Sequence, residues 1–277
     1  MSWLELLLVP LGFAVATYGT LVGAGGGFVL VPALLLLYPN EDPASLTSIS
    51  LAVVFFNAGS GSVAYARLKR IDYRTGLIFA AAAMPGSIVG AFLVGAVPRR
   101  AFDAMFGAVL LSLAAYTAWA AGRTAAIRAP LRGHGIVTRV MPGEEEGETF
   151  RYSYNLWQGI AYSAGVGFIS SLLGIGGGVI HVPIMITLLR FPVHVAVATS
   201  HFVLAIISAS GSGVHLANGD LAGENLVRAL LLAAGAVPGA QLGAKMARRF
   251  RGPVIVRLLA VALLALGVRL IYSGAAG

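Results

Sequence analysis

Apolar residues run through this chain in long blocks separated by short polar breaks. Ten blocks stand out, at about 4–22, 27–38, 45–66, 74–97, 104–122, 154–172, 178–190, 193–217, 226–247 and 253–272. Most are long enough to cross about 30 Å of hydrocarbon as helix. Two are not. Blocks 27–38 and 178–190 would reach only about 18–20 Å at 1.5 Å per residue. Each follows a glycine-rich break. The first break runs from Gly23 through Gly25, Gly26 and Gly27 to Pro32, and the second from Gly174 through Gly176, Gly177 and Gly178 to Pro183.

Four glycines and the proline recur at one constant offset, which predicts a duplicated unit. Further matches keep the same order. Thr47-Ser48 matches Thr199-Ser200, and Gly59-Ser60-Gly61 matches Gly211-Ser212-Gly213. Pro85-Gly86 with Gly90-Ala91 matches Pro238-Gly239 with Gly243-Ala244. The pattern predicts an all-α integral membrane protein. Residues 1–122 form a first membrane repeat, 123–152 a polar cytoplasmic linker and 153–277 a second membrane repeat. The linker holds five Arg and four Glu, and Glu144-Glu145-Glu146 reads as a solvated loop face.

Composition agrees. Hydrophobic residues make up 58% of the chain, charged residues 11%, and mean hydropathy is +0.85. Soluble domains average about 25% charged. The N-terminal block has no basic region before it, so it reads as a first membrane segment and not a cleaved signal. The net charge of +8 does not imply nucleic acid, because the basic residues sit in short loops between apolar blocks. With no cysteine, thiolate metal sites and disulfides are excluded.

Charge also bears on orientation. If each short block folds back beside the preceding one as a hairpin, the halves have opposite orientation. Lys and Arg then divide 15 to 4 between the two sides. If each broken pair is one pass, the best division is 11 to 8. The positive-inside rule favours inverted-topology repeats of about five helical segments, with glycine-broken hairpins containing the half-length helices.

Chemistry is expected at the breaks. A helix that starts at membrane depth presents free N–H groups and the positive end of its dipole, which suits an anion. Tight helix packing is the alternative use of the same glycines. Candidate substrate ligands are Gly25, Gly26, Gly27, Gly176, Gly177 and Gly178, with Thr47, Ser48, Asn57, Thr199, Ser200, His201 and Gln241 as polar donors nearby. Ser50 and Ser208 lie in the same blocks. Interhelical hydrogen bonding is the other role open to these side chains. His201, which follows a repeated Thr-Ser pair, could couple transport to a proton; His181 and His215 are more simply core residues. No Asp or Glu lies in the middle of a block, so a buried carboxylate relay lacks its parts. No nucleophile, zinc or nucleotide motif is present, so no enzyme, metal or cofactor is expected.

Gly23 to Pro32, Gly174 to Pro183, the stretch Ala196 to Ser200, and the two Pro-Gly-x-x-x-Gly-Ala blocks together resemble the TauE/SafE family of sulfite exporters and toluene-sulfonate uptake permeases. The resemblance covers nearly the whole chain outside the linker. It implies a multi-pass transporter of the inner (cytoplasmic) membrane for a sulfur-containing anion such as sulfite, a sulfonate, sulfoacetate or thiosulfate. The residues alone reach as far as a small anion. An anion channel of the same fold, and a membrane-embedded enzyme or assembly factor, are the other readings. The direction of transport, the coupling ion and the oligomeric state stay open.

Overall fold

The computed structural model describes residues 3–121, 133–142 and 149–276. Its helices follow the apolar blocks closely. They are α1 (Trp3–Leu6), α2 (Leu8–Val22), α3 (Gly27–Leu37), α4 (Pro43–Arg67), α5 (Tyr73–Leu93), α6 (Arg99–Ala121), α7 (Leu156–Leu172), α8 (Gly178–Thr187), α9 (Val193–Asn218), α10 (Gly223–Ala247) and α11 (Gly252–Ala276). A short 3-10 turn, Val94–Ala96, extends α5. Five helices are long and apolar enough to cross a membrane: α4, α5 with its turn, α9, α10 and the Gly252–Arg269 stretch of α11. Their outer faces are apolar as well: Phe92, Val261 and Leu264 are each more than half exposed, as lipid-facing residues are.

Local chemistry sets the helix starts. Asp42 caps α4, accepting from the Ser45 amide at 2.9 Å and the Ser45 hydroxyl at 2.8 Å, with Pro43 in the first turn. Burial raises the Asp42 pKa, but the hydrogen bonds from Ser45 outweigh it and leave the carboxyl below its usual range. Asp72 caps α5 and Asn155 caps α7 in the same way.

Part of the expected linker carries structure that the sequence pattern did not predict. Residues Ile136–Pro142 and Thr149–Asn155 pair as an antiparallel hairpin, β1 and β2, in the register Ile136 opposite Asn155. The physical cause is the alternation in Tyr152-Ser153-Tyr154, which buries both rings. Tyr152, Tyr154 and Phe191 stack with centroids 4.5–6.3 Å apart. The Glu144–Glu146 cluster lies outside the described residues.

The hairpin marks one end of the helical bundle. There α4 ends, α5 and α7 begin, and α8 finishes beside Phe191. The other end is marked by Arg228, whose guanidinium bonds Glu41 at 2.8 Å and lies 4.2 Å from the Tyr38 ring centroid. α3 finishes there. Glu5 of α1 is close enough to Tyr38 to oppose its ionisation, so the α2–α3 pair starts and finishes at that end.

Packing between the halves is reciprocal. α2 lies along α10, and α5 lies along α7. Small residues allow the contact, as expected where lipid supplies no hydrophobic drive between helices. A Cβ on Gly239 or Gly243 would come 2.4 or 2.3 Å from the carbonyl oxygens of Phe13 and Thr17. A Cβ on Gly86 or Gly90 would come 2.5 or 2.4 Å from those of Ala164 and Phe168. The two Pro-Gly-x-x-x-Gly-Ala blocks are therefore seams between the first apolar block of one half and the fourth block of the other.

Candidate functional site

The two glycine breaks meet. A Cβ on Gly27 would fall 2.7 Å from the Ile175 carbonyl oxygen, and one on Gly178 would fall 2.6 Å from the Gly23 carbonyl oxygen. Gly26 and Gly177 are the N-caps of α3 and α8, at φ of 83° and 90°, which only glycine adopts without strain. In α3 the amides of Val29 and Leu30 bond Gly26 oxygen; in α8 those of Ile180 and His181 bond Gly177 oxygen. The amides before them have no partner within the helix, as at any helix start.

Gly25 and Gly176 both lie against Val54 and Leu204, one from each long helix α4 and α9. With Ala58, these two form a small apolar cluster separate from the main core. Polar groups flank it on both sides. On the first break, Asn57 Nδ2 donates to Gly25 oxygen at 2.6 Å, and Thr20 Oγ1 donates to Asn57 Oδ1 at 2.7 Å. Thr20 Oγ1 also lies 3.2 Å from His201 Nε2, and Tyr65 donates to the Thr20 carbonyl at 2.7 Å. On the second break, Ser50 donates to Gly174 oxygen at 2.7 Å, and Thr47 packs against Gly174.

Of the residues expected from sequence, the six glycines, Thr47, Asn57 and His201 come together at the breaks. Ser200 is buried with an unpartnered hydroxyl. Ser48 and Thr199 sit towards opposite ends. Ser48 bonds the Asp220 carbonyl at 3.2 Å, and Thr199 accepts from the Asp72 amide at 3.0 Å. Gln241 joins α10 to α4, donating to the Ser60 carbonyl at 2.7 Å. The Thr-Ser pairs match in sequence but not in packing. Gly174 meets Thr47, whereas its mate Gly23 meets Val197, two residues before Thr199. Gly211 likewise meets Leu51, and Gly61 meets His201.

Thr20, Ser170 and Ser171 went unnoticed in the sequence. Thr20 and Ser171 stand three residues before Gly23 and Gly174, a repeated hydroxyl that could have pointed to them. Ser171 belongs to a hydroxyl cluster with Ser87 at 2.7 Å, and Ser87 in turn lies 2.9 Å from Ser210. Among the described residues no group of three or more His, Asp or Glu could hold a metal ion.

The chain is similar to known proteins. The family model described as "Sulfite exporter TauE/SafE" matches residues 8–270. The chain is 36% identical over 276 residues to the "Probable membrane transporter protein YunE" of Bacillus subtilis (strain 168), covering 97% of each. It is 28% identical over 210 residues to a protein of Methanocaldococcus jannaschii, also named as a probable membrane transporter, covering 74% of this chain and 70% of that one. No solved structure matches. A match over residues 8–270, nearly all the helical segments, means that the chain belongs to the TauE/SafE family.

Proposed function

We propose that the protein is a secondary transporter that moves a small sulfur-containing anion, of the sulfite, sulfonate, sulfoacetate or thiosulfate class, across the cytoplasmic membrane by alternating access. The carrying observation is the reciprocal contact of the two breaks, Gly27 on Ile175 and Gly178 on Gly23, at two helix starts. Free amides there favour an anion. In this reading the halves are inverted repeats, the sequence count assigns 15 of the 19 basic residues to the cytoplasmic side, and the hairpin end faces the cytoplasm. Rocking of one half against the other, along the glycine seams of α2 on α10 and α5 on α7, opens the site to each side in turn. The sulfur chemistry of the substrate is supported by the family alone; the geometry supports a small anion.

The test is flux of labelled sulfite, sulfoacetate and thiosulfate into proteoliposomes. Saturable uptake with accelerated counterflow is expected for at least one. Flux that never saturates and shows no counterflow would mean a channel, and no flux of any of them would reject the substrate class.

A further inference from the structure

The two breaks are alike in glycine but not in what faces them. α2 and α7 carry matching residues at one offset, so Gly19 stands where Ser170 stands, and Val15 where Val166 stands. At the first break a Cβ on Gly26 would meet Val15 Cγ1 and the Val15 carbonyl oxygen, both at 3.0 Å. Gly19 lies so close to the Gly26 amide that a side chain there would come within 2.2 Å of its nitrogen. Each helix start meets a carbonyl of the other break, so the difference lies on the side facing α2 or α7: on the α2 side the start of α3 is shut by backbone, and the polar atom there is an acceptor.

At the second break the corresponding position of Gly177 meets the Ser170 hydroxyl at 3.0 Å, with Val166 offering only a methyl group at 3.4 Å. Ser170 is fully buried, and its hydroxyl has no hydrogen-bond partner. A buried hydroxyl without a partner costs stability, and a bound ligand would supply the partner. Here it faces the N-cap of a ten-residue helix.

We propose that the anion docks asymmetrically, on the start of α8, and that Ser170 Oγ is one of its direct donors together with the free amides after Gly177. The first break then serves as a structural mate. Its Gly25 carbonyl is held by Asn57 and its helix start is covered by α2. This inference rests on the anion-transporter reading and adds to it a ligand and a side.

Ser170→Ala separates a ligand from a packing residue. Purified protein in nanodiscs is titrated with sulfite, thiosulfate and sulfoacetate, and both the Tm without anion and the anion-induced rise in Tm are read. For a ligand, the variant's Tm without anion stays level or rises, because no bond inside the protein is lost. Affinity for the bound anion falls by about tenfold or more, the usual loss for a hydrogen bond to a charged group. For a packing serine the pattern reverses: the Tm falls and the affinity holds. That outcome, or unchanged Tm and affinity together, overturns the assignment and leaves the transporter reading standing. If wild-type protein responds to none of the three anions, both readings fall.

Discussion

Gly27 packs on the backbone of Ile175, with 2.7 Å between its Cβ position and the carbonyl oxygen. Gly178 makes the mirror contact with Gly23. Alanine at either place must push the breaks apart. Gly27→Ala and Gly178→Ala should each lower stability by about 1–3 kcal/mol, the usual cost of overpacking, and abolish uptake. Gly59→Ala and Gly213→Ala are the controls. Both lie in long helices, and a Cβ at either meets nothing within 4 Å. They should be neutral or gain up to about 1 kcal/mol from the lower entropy of the unfolded chain. Thermal unfolding in detergent compares the four directly.

Asn57 ties α4 to the first break through Nδ2, which donates to Gly25, and to α2 through Oδ1, which accepts from Thr20. Asn57→Ala leaves the Gly25 carbonyl and the Thr20 hydroxyl short of a partner in a buried place. The expected loss is about 1–3 kcal/mol. Asn57→Asp should be worse, since a carboxylate cannot donate to the Gly25 carbonyl. An asparagine that serves only the substrate would lower affinity and leave Tm unchanged, and that result would contradict the structural role.

Much of this was legible in the sequence, for physical reasons. Apolar blocks and repeated glycines are strong signals because the membrane leaves few ways to satisfy backbone groups. All ten blocks became helices, and the glycine breaks fell between them where expected. The hairpin was hidden because, in a polar stretch, its buried side rests on the two rings Tyr152 and Tyr154. Ser170 was hidden because a serine in an apolar helix looks like a packing residue until its hydroxyl is seen to lack a partner. The Thr47 and Thr199 pairs misled in another way. Side chains on a helix turn by about 100° per residue, so a slip of two residues between sequence match and packing points Thr199 away from the break that Val197 touches.

Tyr152 fastens the hairpin to the bundle, donating to Asp72 Oδ2 at 2.8 Å, while Arg139 Nε lies 3.5 Å from the same oxygen. Burial, and then the Asp72 carboxylate, push the Tyr152 phenol well above the usual tyrosine range. A raised pKa in the folded state gives stability that is complete below the unfolded value of about 10 and fades as pH rises beyond it. Wild type should therefore exceed Tyr152→Phe in Tm by a constant margin up to about pH 9, with the margin shrinking at higher pH. A margin that grew with alkalinity would contradict the assignment.

Arg228 closes the opposite end, and its contacts to Glu224, Glu41 and Tyr38 differ in worth. The bond to Glu224, at 2.7 Å, involves a carboxylate that is 83% exposed and follows i,i+4 spacing, so it contributes at most about 0.5 kcal/mol. The bond to Glu41 joins α10 to the loop after α3, and both partners are at least two-thirds buried. Stacking on Tyr38 adds a cation–π term of about 0.5–1 kcal/mol. A lysine cannot bond two carboxylates in a fork while sitting over a ring. Arg228→Lys should thus lose more than Glu224→Gln, and a double-mutant cycle of Arg228→Lys with Glu41→Gln should show coupling of about 0.5–1.5 kcal/mol. If alternating access separates this end during transport, the same pair holds it shut, and Glu41→Gln should raise the rate of exchange while lowering Tm. Equal rates in Glu41→Gln and wild type would leave Arg228 as a fastening of α3 and remove it from any gate.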